Sequence, residues 1–139
     1  MSYVDTFIQV AEDCPVRTGV VPIARGEAKT IPVIQYELLS QNPYRYTHEE
    51  LLFAIHVRHK AIPDDVLAVR SDAIRGELFQ KNHPCLRASP LPKRYGWGVH
   101  YDGHGRIAIY AMNSEDYRRL SRGGEGDPKP LRAVRSKRA

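Results

Sequence analysis

The chain has 139 residues, 42% of them hydrophobic and 27% charged, and carries a formal net charge of +5 at pH 7. That is enough for one domain around one modest core, and the composition excludes global disorder. No run approaches the roughly 18 apolar residues of a membrane span, and the opening MSYVDTFIQVAED lacks the basic start of a secretory signal.

In chain order, the β-branched and aromatic run Asp5–Ala11 predicts a strand, closed by Pro15. Residues 14 to 29 hold two glycines and two prolines and read as a loop. Thr30–Gln41 is predicted as a helix, with Pro32 in its first turn and Pro43 just past its end. Thr47 and Glu50 have the spacing of a capping box. From Phe53 the chain alternates, with Phe53, Ile55 and Val57 on one side and Ala54, His56 and Arg58 on the other. This predicts a strand near 53 to 60.

Asp64–Lys81 carries Val66, Leu67, Ala73, Ile74, Leu78 and Phe79 at helical intervals and is predicted as the main helix. Pro90 and Pro92 predict an extended segment over SPLPKR. Two strands should follow, Arg94–Tyr101 and Arg106–Met112, with Ser114 capping a last helix from Glu115 to about Arg122. The expected fold class is α+β: a small antiparallel sheet of about four strands packed against two to four helices.

The net charge divides unevenly. Residues 121 to 139 hold six cationic and two acidic residues, whereas residues 1 to 120 hold fifteen and fourteen. The expected organisation is a nearly neutral domain over 1–120 and a disordered basic tail over 121–139.

The hairpin carries the main functional expectation. An odd-length loop around Asp102, Gly103 and His104 would pair Val99 with Ile107, Trp97 with Ile109 and Tyr95 with Ala111, giving one apolar face. The reverse face would then have Gly96, Gly98 and Ala108 as a bare floor. Arg94, His100, Arg106 and Tyr110 would stand round it, with Lys93 close by. Strand glycines permit close approach of a ligand to backbone, and guanidiniums suit a carboxylate or phosphate. The expected function is therefore binding of a small anionic ligand on the Gly96/Gly98 face, with Tyr110 available to stack on a ring and Trp97 anchoring the hairpin from the core side. The competing structural reading is that the glycines make room for packing, with an aromatic covering a cross-strand glycine.

Two alternatives use other residues. Cys85 lies near His83 and Arg87 in sequence, so a thiol-dependent enzyme would use Cys85 with His83 or His100 as base. A nucleic-acid accessory protein would act through the basic tail, binding phosphate backbones without sequence preference. No histidine or cysteine pair has the CxxC or HExxH spacing of a zinc site, so neither metal nor cofactor is expected. Two cysteines, Cys14 and Cys85, make no disulfide framework, and a cytoplasmic location with both thiols reduced is the expectation.

Through TFIQVAEDCP, TIPVIQYELL and above all CLRASPLPKRYGWG followed by GRIAIY, the chain resembles a family of small soluble microbial proteins that carries only a domain-of-unknown-function label. The resemblance covers about residues 3 to 120 and implies one self-contained domain. It supplies no catalytic residues, and the segment after residue 121 lies outside it.

Overall fold

A computed structural model of the chain describes residues 3–24, 26, 29–81, 83 and 85–135. Its centre is a four-stranded sheet of β1 (Thr6–Gln9), β2 (Trp97–Tyr101), β3 (Ile107–Ala111) and β4 (Lys129–Arg132), in the order β3-β2-β1-β4. The helices are α1 (Ile31–Gln41), α2 (His48–His59), α3 (Asp64–Phe79), α4 (Pro90–Arg94) and α5 (Glu115–Leu120). The fold is α+β, as expected. None of the described helices is long and apolar enough to cross a membrane.

Four local expectations are corrected. The strand expected near 53 to 60 is the body of α2. Its capping box forms in full, since Thr47 Oγ1 accepts from the Glu50 amide and Glu50 Oε1 from the Thr47 amide. The apparent alternation is the sum of two i, i+4 stripes. Leu51 and Ile55 face the core, while Phe53 and Val57 line a cleft on another side.

The segment SPLPKR, expected to be extended, forms α4. Ser89 caps it, accepting from the Leu91 amide, and both prolines occupy its first turn, where no intrahelical donor is needed. Arg94 therefore ends a helix rather than opening a strand.

The hairpin register is displaced by two residues from the expected one. Tyr101 pairs with Ile107, Val99 with Ile109 and Trp97 with Ala111. Asp102 sets the shift: its Oδ1 accepts from the His104 and Arg106 amides, making Gly103–Gly105 the loop, with Gly105 at φ 75°. Because the shift is even, the faces stay as expected.

The segment expected to be a disordered tail supplies β4, which pairs in parallel with β1, Phe7 opposite Pro130 and Ile8 opposite Leu131. The sheet is therefore mixed rather than antiparallel, and the domain continues past residue 120. A proline is tolerable there because β4 is an edge strand.

One face of the sheet packs Ile8, Val99, Tyr101 and Ile107 against Ile34 and Leu38 of α1, Leu51 of α2 and Leu91 of α4. Trp97 joins this side. Its ring lies 5.2 Å from that of Tyr36, and its Nε1–H donates to Val20 O. The other face is covered by α5, capped by Ser114 as expected. Helix α3, expected to be the main helix, is the longest of those described but lies at the periphery, with Ile74 its one buried residue.

Candidate functional site

The floor expected at Gly96 and Gly98 is already occupied. A Cβ at Gly98 would lie 2.4 Å from Phe7 Cζ and 2.7 Å from the Tyr117 ring. These two rings meet edge to face over the strand, and Tyr117 is pinned there because its hydroxyl accepts from the Val10 amide. Gly96 sits at φ 78°, and a Cβ there would be 2.4 Å from the carbonyl oxygen of Thr18. A loop over one glycine and two rings over the other make this face a packing surface. Its glycines serve close approach of protein to protein.

Of the residues expected round that floor, the structure joins two. The Tyr44 hydroxyl hydrogen-bonds both His100 Nδ1, at 2.7 Å, and the Tyr110 hydroxyl, at 2.6 Å. Tyr44 reaches this position from a backbone at φ 59°, uncommon for a bulky residue. Burial holds the His100 imidazole below its ordinary value despite the nearby Asp102 carboxylate, and pushes the Tyr44 phenol well up. The trio is thus a continuous hydrogen-bonded chain with Tyr44 at its centre. Lys93 and Arg94 lie on α4 and do not join it, and Gly98 rather than Gly96 stands opposite Tyr110.

Arg106 has gone elsewhere. It lines an open cleft of about 560 Å³ between α2, α3 and the end of the hairpin, together with Arg45, Arg58 and Arg75. Residues 44 to 46 run along β3, with the Tyr44 amide donating to Ile107 O and the Ile107 amide to Tyr46 O. That pairing, with the Thr47–Arg106 bridge, brings the segments of Arg45 and Arg106 together on this cleft. Leu38, Phe53, Val57 and Leu67 form the apolar wall. The Arg75 guanidinium carbon stands 4.2 Å from the centre of the Phe53 ring, and that of Arg45 5.9 Å from the Tyr46 ring.

One carboxylate, Glu50, lines the same cleft. It is held below the usual carboxylate range chiefly by the Thr47 amide, with the fields of Arg106 and Arg75 adding to that bond. Arg58 touches Glu37 at the long distance of 4.0 Å. Arg45, Arg75 and Arg106 make no ion pair within that distance among the described residues. Sequence reading found Arg106 but missed Arg45, Arg58 and Arg75, because no spacing connects them; only the packing of α2 and α3 brings them together.

Cys85 and His83 both line a separate cavity beside α2. The Cys85 Sγ lies 3.6 Å from the Tyr3 hydroxyl, and His83 Nε2 is 2.6 Å from Leu78 O, so that nitrogen is committed to the end of α3. His100 lines a different cleft, with Asp5 and Asp102. Among the described residues no three His, Cys, Asp or Glu side chains are grouped to hold a metal ion.

The chain belongs to DUF6157, a family of unknown function whose model spans residues 1–139. The match runs through the segment after residue 121, which the sequence resemblance had left outside. No curated protein and no solved structure matches the chain.

Proposed function

We propose that the protein binds a small anionic ligand, a phosphate or carboxylate on an apolar or aromatic body, in the cleft between α2 and α3. The ligand class is the one expected from the hairpin; the place is different. The observation that carries this reading is the convergence of Arg45, Arg58, Arg75 and Arg106 on one apolar-walled cleft against the single carboxylate of Glu50. Glu50 has an oxygen already engaged by a backbone amide. Guanidiniums present paired donors that suit a planar or tetrahedral oxyanion, and Phe53 offers a wall to a ring.

Phenyl phosphate is the probe, because it combines the two halves. Calorimetric titration should show saturable binding, tighter than that of inorganic phosphate or phenol alone. Arg106→Gln and Arg45→Gln should each weaken it about tenfold, the scale of one charge-assisted hydrogen bond. Phenol binding as well as phenyl phosphate, or binding that survives both substitutions, would refute the reading.

A cytoplasmic location belongs to the same reading, supported by two free thiols, Cys14 and Cys85. The thiol-enzyme alternative has His83 lining the cavity of Cys85 in its favour, but the Leu78 carbonyl competes for that imidazole. The nucleic-acid alternative has the surface cations of residues 121–135 in its favour, although Arg132 is partly drawn inward by Val10 O.

A further inference from the structure

The cavity beside α2 has a chemistry that the arginine cleft lacks. It measures about 410 Å³ and runs along successive turns of α2, from Leu51 and Leu52 past Ile55 to His56, His59 and Lys60. From Leu51 to His59 is eight residues, about 12 Å at the α-helical rise. Its opposite wall is the segment from Cys85 to Pro90, with Ile31 of α1 and Leu78 of α3 completing the lining.

The interior is mostly aliphatic, and its main polar pair is spent internally. Ser89 Oγ donates to Gln35 Oε1 at 2.6 Å and accepts from the Leu91 amide. The mouth differs in kind. His59 and Lys60 are exposed there, and the His56 imidazole between them and the interior is held below its ordinary value by burial, with the Lys60 and Lys81 ammoniums acting in the same sense. An apolar channel that ends at a lysine ammonium and an exposed imidazole is the complement of a chain with an anionic head.

We infer that this cavity is a second ligand site, for an unbranched medium-chain aliphatic carboxylate, with the chain along Leu51, Leu52 and Ile55 and the carboxylate at His59 and Lys60. Burial of the chain drives binding, because the cavity gives water few partners. The Lys60 ammonium at the mouth offsets the carbonyl end of α2, which by itself would repel an anion. The inference is independent of the arginine cleft, since none of these residues lines that cleft.

Cys85 supplies a built-in reporter and Cys14, on the segment after β1, its control. The experiment treats the full-length protein with methyl methanethiosulfonate and follows each thiol by peptide mass spectrometry. Decanoate is titrated below its micellar range, with 1-decanol as the uncharged comparison. The expected result is saturable slowing of Cys85 modification by at least fivefold, with Cys14 unchanged and decanol weaker. Lys60→Glu and His59→Glu should each reduce the affinity for decanoate about tenfold while leaving decanol unaffected. Two different mouth variants are used so that a folding defect in one does not decide the matter.

Slowing of both thiols together would mean surfactant action and would overturn the site. So would decanol protecting as well as decanoate, or no protection at any concentration. Calorimetric titration of decanoate tests the site without relying on the thiol; absence of heat at a heat-detectable protein concentration, at two temperatures, also overturns it.

Discussion

Strand β1 and helix α3 are extremes of the same molecule. In β1, Phe7 and Ile8 are wholly buried, and hydrogen-bonded neighbours flank the strand on both sides. In α3, sixteen residues long, Ile74 alone is buried and Val69 is 85% exposed. Yet α3, like α1 and α2, lines both candidate sites, through Leu67 and Arg75 in the arginine cleft and Leu78 in the aliphatic cavity. The contrast teaches that an element can line two cavities while contributing one residue to the core. Binding elements are commonly drawn from the less stable part of a fold.

Three experiments can break or sharpen that contrast. The largest effect should come from removing residues 121–139, which strips β4 from β1 and uncovers its edge. A loss of roughly 3 kcal/mol is expected, more than ten degrees in Tm for a chain of this size. A thermal melt unchanged by the truncation would mean that β4 is decoration.

Next come two glycine substitutions of opposite sign. Gly98→Ala forces a methyl into Phe7 and Tyr117, and overpacking of this kind costs about 2 kcal/mol. Gly76→Ala places a methyl in open space within α3 and should stabilise by roughly 0.7 kcal/mol through helix propensity. Chemical denaturation of both variants measures the pair. Equal effects in either direction would erase the distinction between the two regions.

The gentlest test is titration. His48 is 3% exposed with Nδ1 unpartnered, and burial holds its imidazole below the ordinary 6.5. The unfolded chain therefore takes up a proton before the folded one does. This contribution to stability is complete above pH 6.5 and is lost as pH falls towards the depressed folded value. His56 and His100 are lowered in the same sense, so His48→Gln should remove part of the slope of Tm against pH below 6.5. A slope identical to the parent protein's would assign the titration to other groups.

What the sequence made legible was pattern, and what it hid was register and convergence. The apolar face of the hairpin, the capping box at Thr47 and the Ser114 cap are local or periodic signals, and each stands in the structure. The two-residue slip between β2 and β3 is invisible to pattern, since an even shift leaves every side chain on its own face. Only the Asp102 carboxylate, bonding two amides ahead, fixes it. Helix α2 looked like a strand because two helical stripes overlapped. Strand β4 looked like a tail because Lys129, Pro130 and Arg132 surround one leucine, a composition that an edge strand tolerates. Arg106, His100 and Tyr110 were legible as chemistry, but not Arg75, which lines the cleft with Arg106, nor Tyr44, which bonds His100 and Tyr110; both arrive from elsewhere in the chain. The glycine floor failed because Phe7 and Tyr117 come from opposite ends of the chain.

The parallel pairing of Thr6 with Lys129 also has a consequence in time. Of the described elements the inner strand β1 is made first during synthesis, while one of its partners, β4, is made last. Until then β1 presents an open row of amides and carbonyls, with Phe7 and Ile8 beside it. The nascent chain thus has a long interval in which a foreign strand could take the place reserved for β4. Sheet closure so dependent on distant segments should also make folding slow for a chain of this length.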